Sequence, residues 1–344
     1  MASDQASDQA SDKAHSKASI KDVAKAAGVS TATVSRVLAN KDFIRPSTRE
    51  RVLQAVADLH YRPNTAARSL RAQRSARIGL IFSDIRNPFF AALTRAVEEA
   101  AYPQGYTVLI CNTDEDPSRE ATFLEMLQAE NVAGVIFSPT RQYCLHPDRA
   151  PLRLPVVVID RAIRGLELDM VVLDNLSAAR ELTAHLLGNG YRRLAGLFGE
   201  SSITGRERSK GFQQELEAHG LQPHSVPYLP PRTAPAHAAA AELLSGSPLP
   251  DAILTSNSLL TAGVLQALRE KGLKIPADMA LAGFDATEWG EFVDPPITVI
   301  AQPVEEIGGA AVRMLFERIA EPGRPARRVM LKGKLEARGS SAPS

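Results

Sequence analysis

The chain has 344 residues, a formal net charge of +1 at pH 7 and two cysteines, Cys111 and Cys144, which lie far apart. This length suits two or three domains with sizeable cores, and no apolar run reaches the roughly 20 residues that a membrane span needs. The cysteines match no metal-site spacing, and no secretory signal is evident. We therefore expect a cytoplasmic protein with reduced thiols and no membrane partner.

The positive charge is concentrated near the N-terminus. Residues 19–77 contain twelve Lys and Arg against four Asp and Glu, on a chain whose total charge is only +1. A basic segment on an otherwise acidic chain is typical of nucleic-acid binding. Residues 1–18 carry the polar repeat ASDQ-ASDQ-ASDK, which has no apolar face, so we expect a disordered tail there.

The basic segment begins with two short predicted helices. The first has apolar residues at helical spacing, a capping box of Ser19 and Asp22 at its start, and a left-handed stop at Gly28. The second is capped by Ser30 and turns its valines inward. Two short helices joined by a tight glycine turn form a helix-turn-helix, although an ordinary helical hairpin has the same pattern.

A third helix is predicted from Ser47, with a capping box of Ser47 and Glu50. Its apolar face consists of Val52, Leu53, Val56 and Leu59. Residues 64–70 fit one further short helix, but seven residues are too few to hold a helix alone in water.

From residue 78 the pattern changes to buried strands that alternate with amphipathic helices. Strands are predicted at residues 78–82, 107–111, 133–137, 156–160, 171–174, 194–198, 252–256, 280–284 and 297–300. Helices are predicted at residues 88–101, 118–130, 177–187, 206–219, 259–271 and 304–319. This alternation predicts an α/β fold with parallel sheets covered on both faces. Nine strands are more than one compact open sheet usually takes, so two lobes are expected.

Two motifs, IKDVAKAAGVSTATVSRVLAN (residues 20–40) and YRPNTAARSL (residues 61–70), resemble those of the lactose-repressor (LacI) family of bacterial transcription regulators. The remainder is similar to periplasmic sugar-binding proteins. The resemblance implies a helix-turn-helix domain at 19–63, a hinge helix and linker at 64–77, and an effector-binding and dimerisation core at 78–344. Within this core it implies an N-terminal lobe at about 78–174 and 303–332 and a C-terminal lobe at about 175–302 and 333–340.

The sequence contains no pattern typical of an enzyme. It has no Gly-x-Ser-x-Gly elbow, no phosphate-binding loop, no GxGxxG and no HExxH, and its seven His residues are scattered. We therefore expect a protein that is not an enzyme, with no cofactor and no metal.

Ligands of open α/β sheets bind at the carboxyl ends of strands. Polar residues in such positions are candidate ligands, although each could be an ordinary loop residue or helix cap. The candidates are Asp84–Phe90, Asp160, Arg161, Asn175, Ser201–Arg208, Asn257 and Asp285. Of these, the resemblance implies effector contacts for Arg208 in TGRERSKGF and for Asp285 in AGFDATEW, with Phe89 and Phe90 as aromatic walls. Ser258 departs from the family, which often has Asp at this position.

The DNA contacts follow from the second helix and from the resemblance. Thr31, Ala32 and Arg36 should face base edges, and Arg36 can hold guanine bidentately. Phosphate contacts are expected from Lys21, Ser30, Ser35, Arg45 and Asn64. The resemblance assigns to Leu70 the role of a wedge in the minor groove, beside the same leucine of a partner subunit.

These features predict a ligand-controlled repressor. Its partners should be double-stranded palindromic operator DNA, a small sugar or sugar-acid effector, and a second copy of the chain that packs through residues 88–101 of the N-terminal lobe. Two alternatives remain. A solute-binding protein of a sugar transporter would fit the core but not the basic head, and a nucleoid-type DNA binder would fit the head but not the core.

Overall fold

The computed structural model describes residues 18–38, 44–59, 61, 75–146, 153–163, 165–200 and 202–343. They form two compact units, a small helical unit before residue 74 and a large α/β unit after it. Among these residues no helix is both long enough and apolar enough to cross a membrane.

The small unit consists of three helices, α1 (Ile20–Ala27), α2 (Thr31–Leu38) and α3 (Pro46–Asp58). The capping box at α1 is confirmed, because the Ser19 amide donates to Asp22 Oδ2 at 2.8 Å and the Asp22 amide donates to Ser19 Oγ. Gly28 ends the helix with φ 64°. Ser30 caps α2, since its hydroxyl oxygen accepts from the Thr33 amide at 3.2 Å.

The predicted start of α3 is wrong. The helix begins at Pro46, and the residue before it, Arg45, makes no side-chain capping bond. Proline suits the first helical position because its fixed φ is helical and its missing N–H would have no partner there. The predicted apolar face is also partly wrong, because Leu53 is 49% exposed and Leu59 follows the helix end. Ala55 is buried with Val52 instead.

The large unit contains two six-stranded sheets, and its α/β class is confirmed. The first sheet has the order β11-β5-β4-β3-β1-β2 and the second has the order β12-β10-β9-β8-β6-β7. All neighbouring strands are parallel except β10 and β12. The strands of the first sheet are β1 (Arg77–Phe82), β2 (Thr107–Asn112), β3 (Val135–Phe137), β4 (Val156–Ile159), β5 (Asp169–Leu173) and β11 (Arg328–Leu331). Those of the second are β6 (Leu194–Gly199), β7 (Tyr228–Leu229), β8 (Ala252–Thr255), β9 (Ala280–Phe284), β10 (Thr298–Ala301) and β12 (Lys334–Glu336).

Nine α-helices accompany these strands in the described part of the large unit, together with two short 3-10 helices at Tyr102–Gln104 and Gly339–Ser341. The α-helices are α4 (Pro88–Ala101), α5 (Pro117–Ala129), α6 (Arg141–Leu145), α7 (Asn175–Gly188), α8 (Ile203–Ala218), α9 (Thr233–Leu243), α10 (Ser258–Glu270), α11 (Glu288–Phe292) and α12 (Val304–Ala320). The sequence pattern missed α6, α9 and α11 and the strands β7, β11 and β12. Most of these are short, and the β11 strand alternates exposed and half-buried residues at the edge of its sheet.

The chain changes sheets three times, after β5, after β10 and after β11. Each sheet with its helices is a lobe, and we call them the first and second lobes. Apolar clusters cover both faces of each sheet. The helices pack closely in pairs. In the pair of α7 and α8, a Cβ on Gly211 would lie 2.9 Å from Ala179 Cβ, so only glycine permits this approach.

Candidate DNA-binding surface and ligand cleft

The outer side of α2 is polar and exposed. Val34 and Val37 turn into the core of the small unit, which leaves Ala32, Ser35 and Arg36 exposed and Thr31 half-buried. These four side chains are therefore available to a partner, Thr31 and Ala32 in the first turn of α2 and Ser35 and Arg36 in its last turn. The N-terminal residues of a recognition helix contact base edges in a major groove, and Thr31 and Ala32 have this position.

Basic and polar residues lie near the N-terminal ends of the small unit's helices. Lys21 in α1 is exposed, and Arg45, just before α3, is exposed as well. The Ser30 hydroxyl is exposed but is already engaged by the Thr33 amide and hydroxyl, so its first role is structural. The predicted contacts of Asn64 and Leu70 lie outside the described residues.

The large unit has a cavity of about 130 Å³ at the carboxyl ends of strands from both lobes. Seven side chains from the predicted candidates line it as possible effector contacts, so the structure brings together residues that are up to 196 positions apart. They are Phe89, Phe90, Asp160 and Arg161 from the first lobe and Arg208, Asn257 and Asp285 from the second. The candidate Asn175 is not in the lining and accepts a hydrogen bond from Arg208 instead. The lining also contains residues that the sequence analysis did not predict, notably Ser83, Asp114, Glu115, Glu200, Arg232 and Gln302.

Arg208, in the second turn of α8, is buried against the second lobe. Its Nε donates to Asn175 Oδ1 at 2.8 Å and its Nη1 donates to the Ser256 carbonyl oxygen at 2.6 Å. Its guanidinium also lies over the Phe284 ring, 4.0 Å from the centroid. Burial lowers the pKa of Arg208, and the Asp285 and Asp160 carboxylates oppose this shift. The arrangement fixes the plane of the guanidinium that faces the cavity.

Asp285 follows β9 in left-handed backbone, with φ 74°. Its Oδ2 accepts from the Ser258 amide at 3.1 Å, and its Oδ1 accepts from Gln302 Nε2 at 2.6 Å. The carboxylate is thus held in one orientation beside Arg208 with acceptor capacity left over. Asn257 caps α10, its Oδ1 accepting from the Leu260 amide, so one side of this amide is committed to the helix.

An aromatic wall closes the first-lobe side. Asn87 caps α4, and the two phenylalanines follow in the first turn of that helix. The Phe90 ring stacks on Phe82 at 5.2 Å, and Phe89 meets Phe90 edge to face at 5.1 Å. Their positions are therefore set by the core of the first lobe, which leaves their cavity sides as a rigid apolar surface.

Asp160 and Arg161 follow β4. Asp160 has φ 64°, accepts from the Ser138 hydroxyl at 3.1 Å, and pairs with Arg161 Nε at 3.3 Å. Burial raises the pKa of Asp160, which Arg161 opposes. The other guanidinium nitrogens of Arg161 donate to the Pro139 carbonyl oxygen and the Ser83 hydroxyl and pair with Glu115. Arg161 therefore holds together the loops that follow β1, β2 and β3 in the first lobe.

The cavity lining is acidic. Six carboxylates line it against three arginines, and each of these arginines is bonded to protein acceptors. The carboxylates are Asp84, Asp114, Glu115, Asp160, Glu200 and Asp285. Hydrogen-bond acceptors for hydroxyl groups are therefore plentiful, whereas donors for a ligand carboxylate are scarce. Among the described residues, no cluster of His, Cys, Asp and Glu could hold a metal ion.

Two family profiles match this chain. The profile described as bacterial regulatory proteins, lacI family, matches residues 19–64, and that of a periplasmic binding protein-like domain matches residues 183–341. The ribose operon repressor of Halalkalibacterium halodurans is 36% identical over 326 residues, which are 93% of this chain and 96% of that repressor.

Solved structures are similar to this chain, one of them over nearly its whole length. The lac repressor dimer bound to operator and the anti-inducer ONPF has a TM-score of 0.86 at 25% identity, covering 95% of this chain and 100% of that one. A periplasmic binding protein/LacI transcriptional regulator from Alkaliphilus metalliredigens, complexed with D-xylulofuranose, has a TM-score of 0.70 at 30% identity, covering 77% of this chain and 99% of that one.

Proposed function

This chain belongs to the LacI family of bacterial regulatory proteins, and we propose that it represses transcription in the cytoplasm under the control of a small ligand. The observation that carries the proposal is the joining, in one chain, of an exposed recognition helix on a basic head with a polar cavity between two lobes. The transporter alternative is not favoured, because relatives that match along the whole chain are regulators.

In this proposal residues 19–63 bind DNA, residues 64–77 form the hinge helix and linker, and residues 78–344 bind the effector and dimerise. Thr31, Ala32 and Arg36 read base edges of a palindromic operator, and Leu70 is the minor-groove wedge. Phosphates are contacted by Lys21, Ser30, Ser35, Arg45 and Asn64. The exposure of Ala32 and Arg36 supports their proposed base contacts, and the exposure of Ser35 supports its proposed phosphate contact.

Arg36→Ala tests the groove contact. Because a bidentate arginine–guanine pair contributes about 1–3 kcal/mol of discrimination, the ratio of operator to scrambled-DNA affinity should fall about 5- to 150-fold. Fluorescence anisotropy with both duplexes at one salt concentration measures this ratio. Lys21→Ala is the control, since loss of a phosphate contact lowers both affinities together and leaves the ratio unchanged. An unchanged ratio for Arg36→Ala would contradict the assignment.

We propose that the effector is a sugar, held by Arg208, Asn257 and Asp285 from one lobe and by Phe89, Phe90, Asp160 and Arg161 from the other. The acidic lining, with six carboxylates against three arginines, supports a neutral sugar over a sugar acid. A ligand carboxylate would enter a site whose lining carries more acidic than basic side chains, and like charges at close range repel one another.

Isothermal titration with D-ribose, D-xylulose, D-fructose, gluconate and 2-ketogluconate tests this choice. A neutral sugar should bind, and the two acids should bind at least tenfold more weakly. Asp285→Asn should weaken the bound sugar about tenfold or more, because a charged acceptor is replaced at a buried site. Tight binding of an acid together with failure of every neutral sugar would overturn the neutral-sugar proposal.

We also propose a homodimer. The lac repressor relative is a dimer, and a two-fold protein matches a palindromic site. Large exposed apolar side chains support a protein partner, namely Tyr102 after α4 at 73% exposure and Phe292 in α11 at 84%. Tyr102 supports the predicted α4 surface, and Phe292 adds a surface on the second lobe. Sedimentation should show a dimer at micromolar concentration, and Phe292→Asp should shift it toward monomer.

A further inference from the structure

One ion pair crosses from one lobe to the other at the solvent side of the cleft. Arg232 Nη2 lies 3.4 Å from Asp114 Oδ1, with side-chain exposures of 48% and 34%. Residues deeper in the cavity, such as Arg208 and Asp285, are only 4% and 6% exposed. We call Asp114 and Arg232 the mouth pair.

The topology places the mouth pair opposite the points where the chain crosses between lobes. Two of the three crossings, from β10 to β11 and from β11 to β12, join strands of the two sheets directly, and the third runs from β5 into α7, which packs against β10 and β12. These four strands lie at one edge of their sheets, whereas β2 and β7 lie at the other edge, about 24 Å away at the usual strand spacing. Asp114 follows β2 and Arg232 follows β7. Because this end lies farthest from the crossings, a contact here opposes separation of the lobes more effectively than a contact nearer to them.

The backbone holds the Asp114 carboxylate in place. Asp114 and Glu115 both have left-handed backbone, with φ 56° and 61°, which residues other than glycine seldom adopt. The Glu115 amide donates to the Ser83 carbonyl oxygen at 3.1 Å, and the Glu115 carboxylate pairs with Arg161 inside the cavity. The same turn thus connects the cavity wall to the mouth pair.

The other side is equally fixed. Arg232 precedes α9 and follows Pro230 and Pro231, both of which line the cavity. The Arg232 amide donates to the Pro230 carbonyl oxygen at 2.7 Å, which makes a tight turn there. Two prolines and a closed turn leave the arginine little freedom other than rotation of its side chain.

We propose that the mouth pair is a latch that determines ligand size. With the pair closed, the two lobes are held together around the cavity, so a ligand of one sugar ring that leaves the pair intact is favoured over a ligand with a second ring that has to break it. This inference rests on the proposed sugar effector, and it adds that Arg232 and Asp114 select monosaccharides over disaccharides. An exposed ion pair is screened by salt, so the latch weakens as ionic strength rises.

Arg86 supplies a matched control. It also pairs with Asp114, but it belongs to the same lobe and is bonded to Asp84 as well. Arg86→Ala therefore removes a positive partner of Asp114 without cutting a contact between lobes, whereas Arg232→Ala cuts that contact.

Lobe separation without ligand tests the latch directly. Spin labels on Glu125→Cys in α5 and Glu217→Cys in α8, both exposed positions, report the distance between lobes in the full chain diluted with unlabelled chain. Cys111 and Cys144 are buried and are not accessible to the label. Arg232→Ala, or the wild type in 1 M NaCl, should gain a population at longer distance, and Arg86→Ala should not. Equal responses of the two variants, or no response in either, would overturn the latch.

Binding of D-ribose and cellobiose tests the selectivity. The wild type should bind D-ribose more tightly than cellobiose. Arg232→Ala should release D-ribose about two- to fivefold faster, the effect of one exposed ion pair, and should narrow the ratio of D-ribose to cellobiose affinity by about the same factor. Wild-type binding of cellobiose as tightly as D-ribose would overturn the size selection. If no neutral sugar binds at all, the proposed effector is wrong, and the distance measurement still decides whether the mouth pair holds the lobes together.

Discussion

Replacing Gly211 by alanine perturbs the packing of α8 on α7, on which the position of Arg208 depends. A Cβ at Gly211 would lie 2.9 Å from Ala179 Cβ and closer still to the Leu176 carbonyl oxygen. Because the carbonyl belongs to the α7 backbone, no side-chain rotation relieves the overlap, and the helices must separate. Arg208 is one turn earlier on α8, so its bonds to Asn175 and Ser256 should lengthen with the same movement.

We expect Gly211→Ala to lower the free energy of unfolding of the large unit by about 2 kcal/mol. Overpacking of this kind costs about 1–3 kcal/mol, here at the upper end, and alanine regains about 1 kcal/mol of helix propensity. For a unit of this size the melting temperature should fall by about 4–8 °C. Trp289, the only tryptophan of the chain, packs against an apolar cluster of the same lobe, so its fluorescence during denaturation reports the relevant unfolding.

Gly188→Ala is the matched control. Gly188 ends α7, and a Cβ there would meet no atom within 4 Å, so the same substitution should be neutral or stabilising by up to about 0.5 kcal/mol. The reasoning would be refuted if Gly211→Ala were as stable as the wild type, or if both variants lost stability equally.

Two further predictions concern pH and capping. Burial raises the pKa of Glu120 from 4.5 to about 7, although hydrogen bonds from Thr140 lower it. Between about pH 4.5 and 7 the folded protein therefore holds a proton that the unfolded chain has lost, and stability should fall as the pH rises through this window. Glu120→Gln should flatten that slope in denaturation measured at pH 5, 6, 7 and 8, and a slope equal to the wild type would contradict the assignment. Ser30→Ala should lower the free energy of unfolding of the small unit by about 1 kcal/mol, because the Thr33 amide loses its hydrogen-bond acceptor. Thermal unfolding of residues 18–61, followed by circular dichroism, measures this loss. An unchanged unfolding transition would be inconsistent with the cap.

Helices with a regular spacing of apolar residues could be predicted from the sequence with correct limits. The predicted limits of α4 match the structure, since residues 88–101 carry a proline start and an unbroken apolar face. At α3, by contrast, the Ser-x-x-Glu pattern predicted a start at Ser47. The helix begins at Pro46, because proline is favourable at the first helical position. The short strands β7 and β12 have too few residues to show a period, and their pairing depends on neighbours distant in sequence.

The cleft followed from one topological rule, that ligands lie at the carboxyl ends of strands. That rule placed Asp160, Asn257 and Asp285 in the lining. Gln302 follows β10 and could have been found in the same way. Arg232 could not, because it follows the two-residue strand β7, which the pattern missed, and its partner across the cleft is 118 positions away.

The central claim is that one cavity controls DNA binding, and reciprocal titration tests it most directly. The dissociation constant of operator DNA is measured with and without saturating sugar, and that of the sugar with and without saturating operator, at one salt concentration. If binding is coupled, the two constants must change by the same factor, because both ligands bias one equilibrium. We expect equal changes of about 5- to 150-fold. Constants that do not change in either direction would contradict the account.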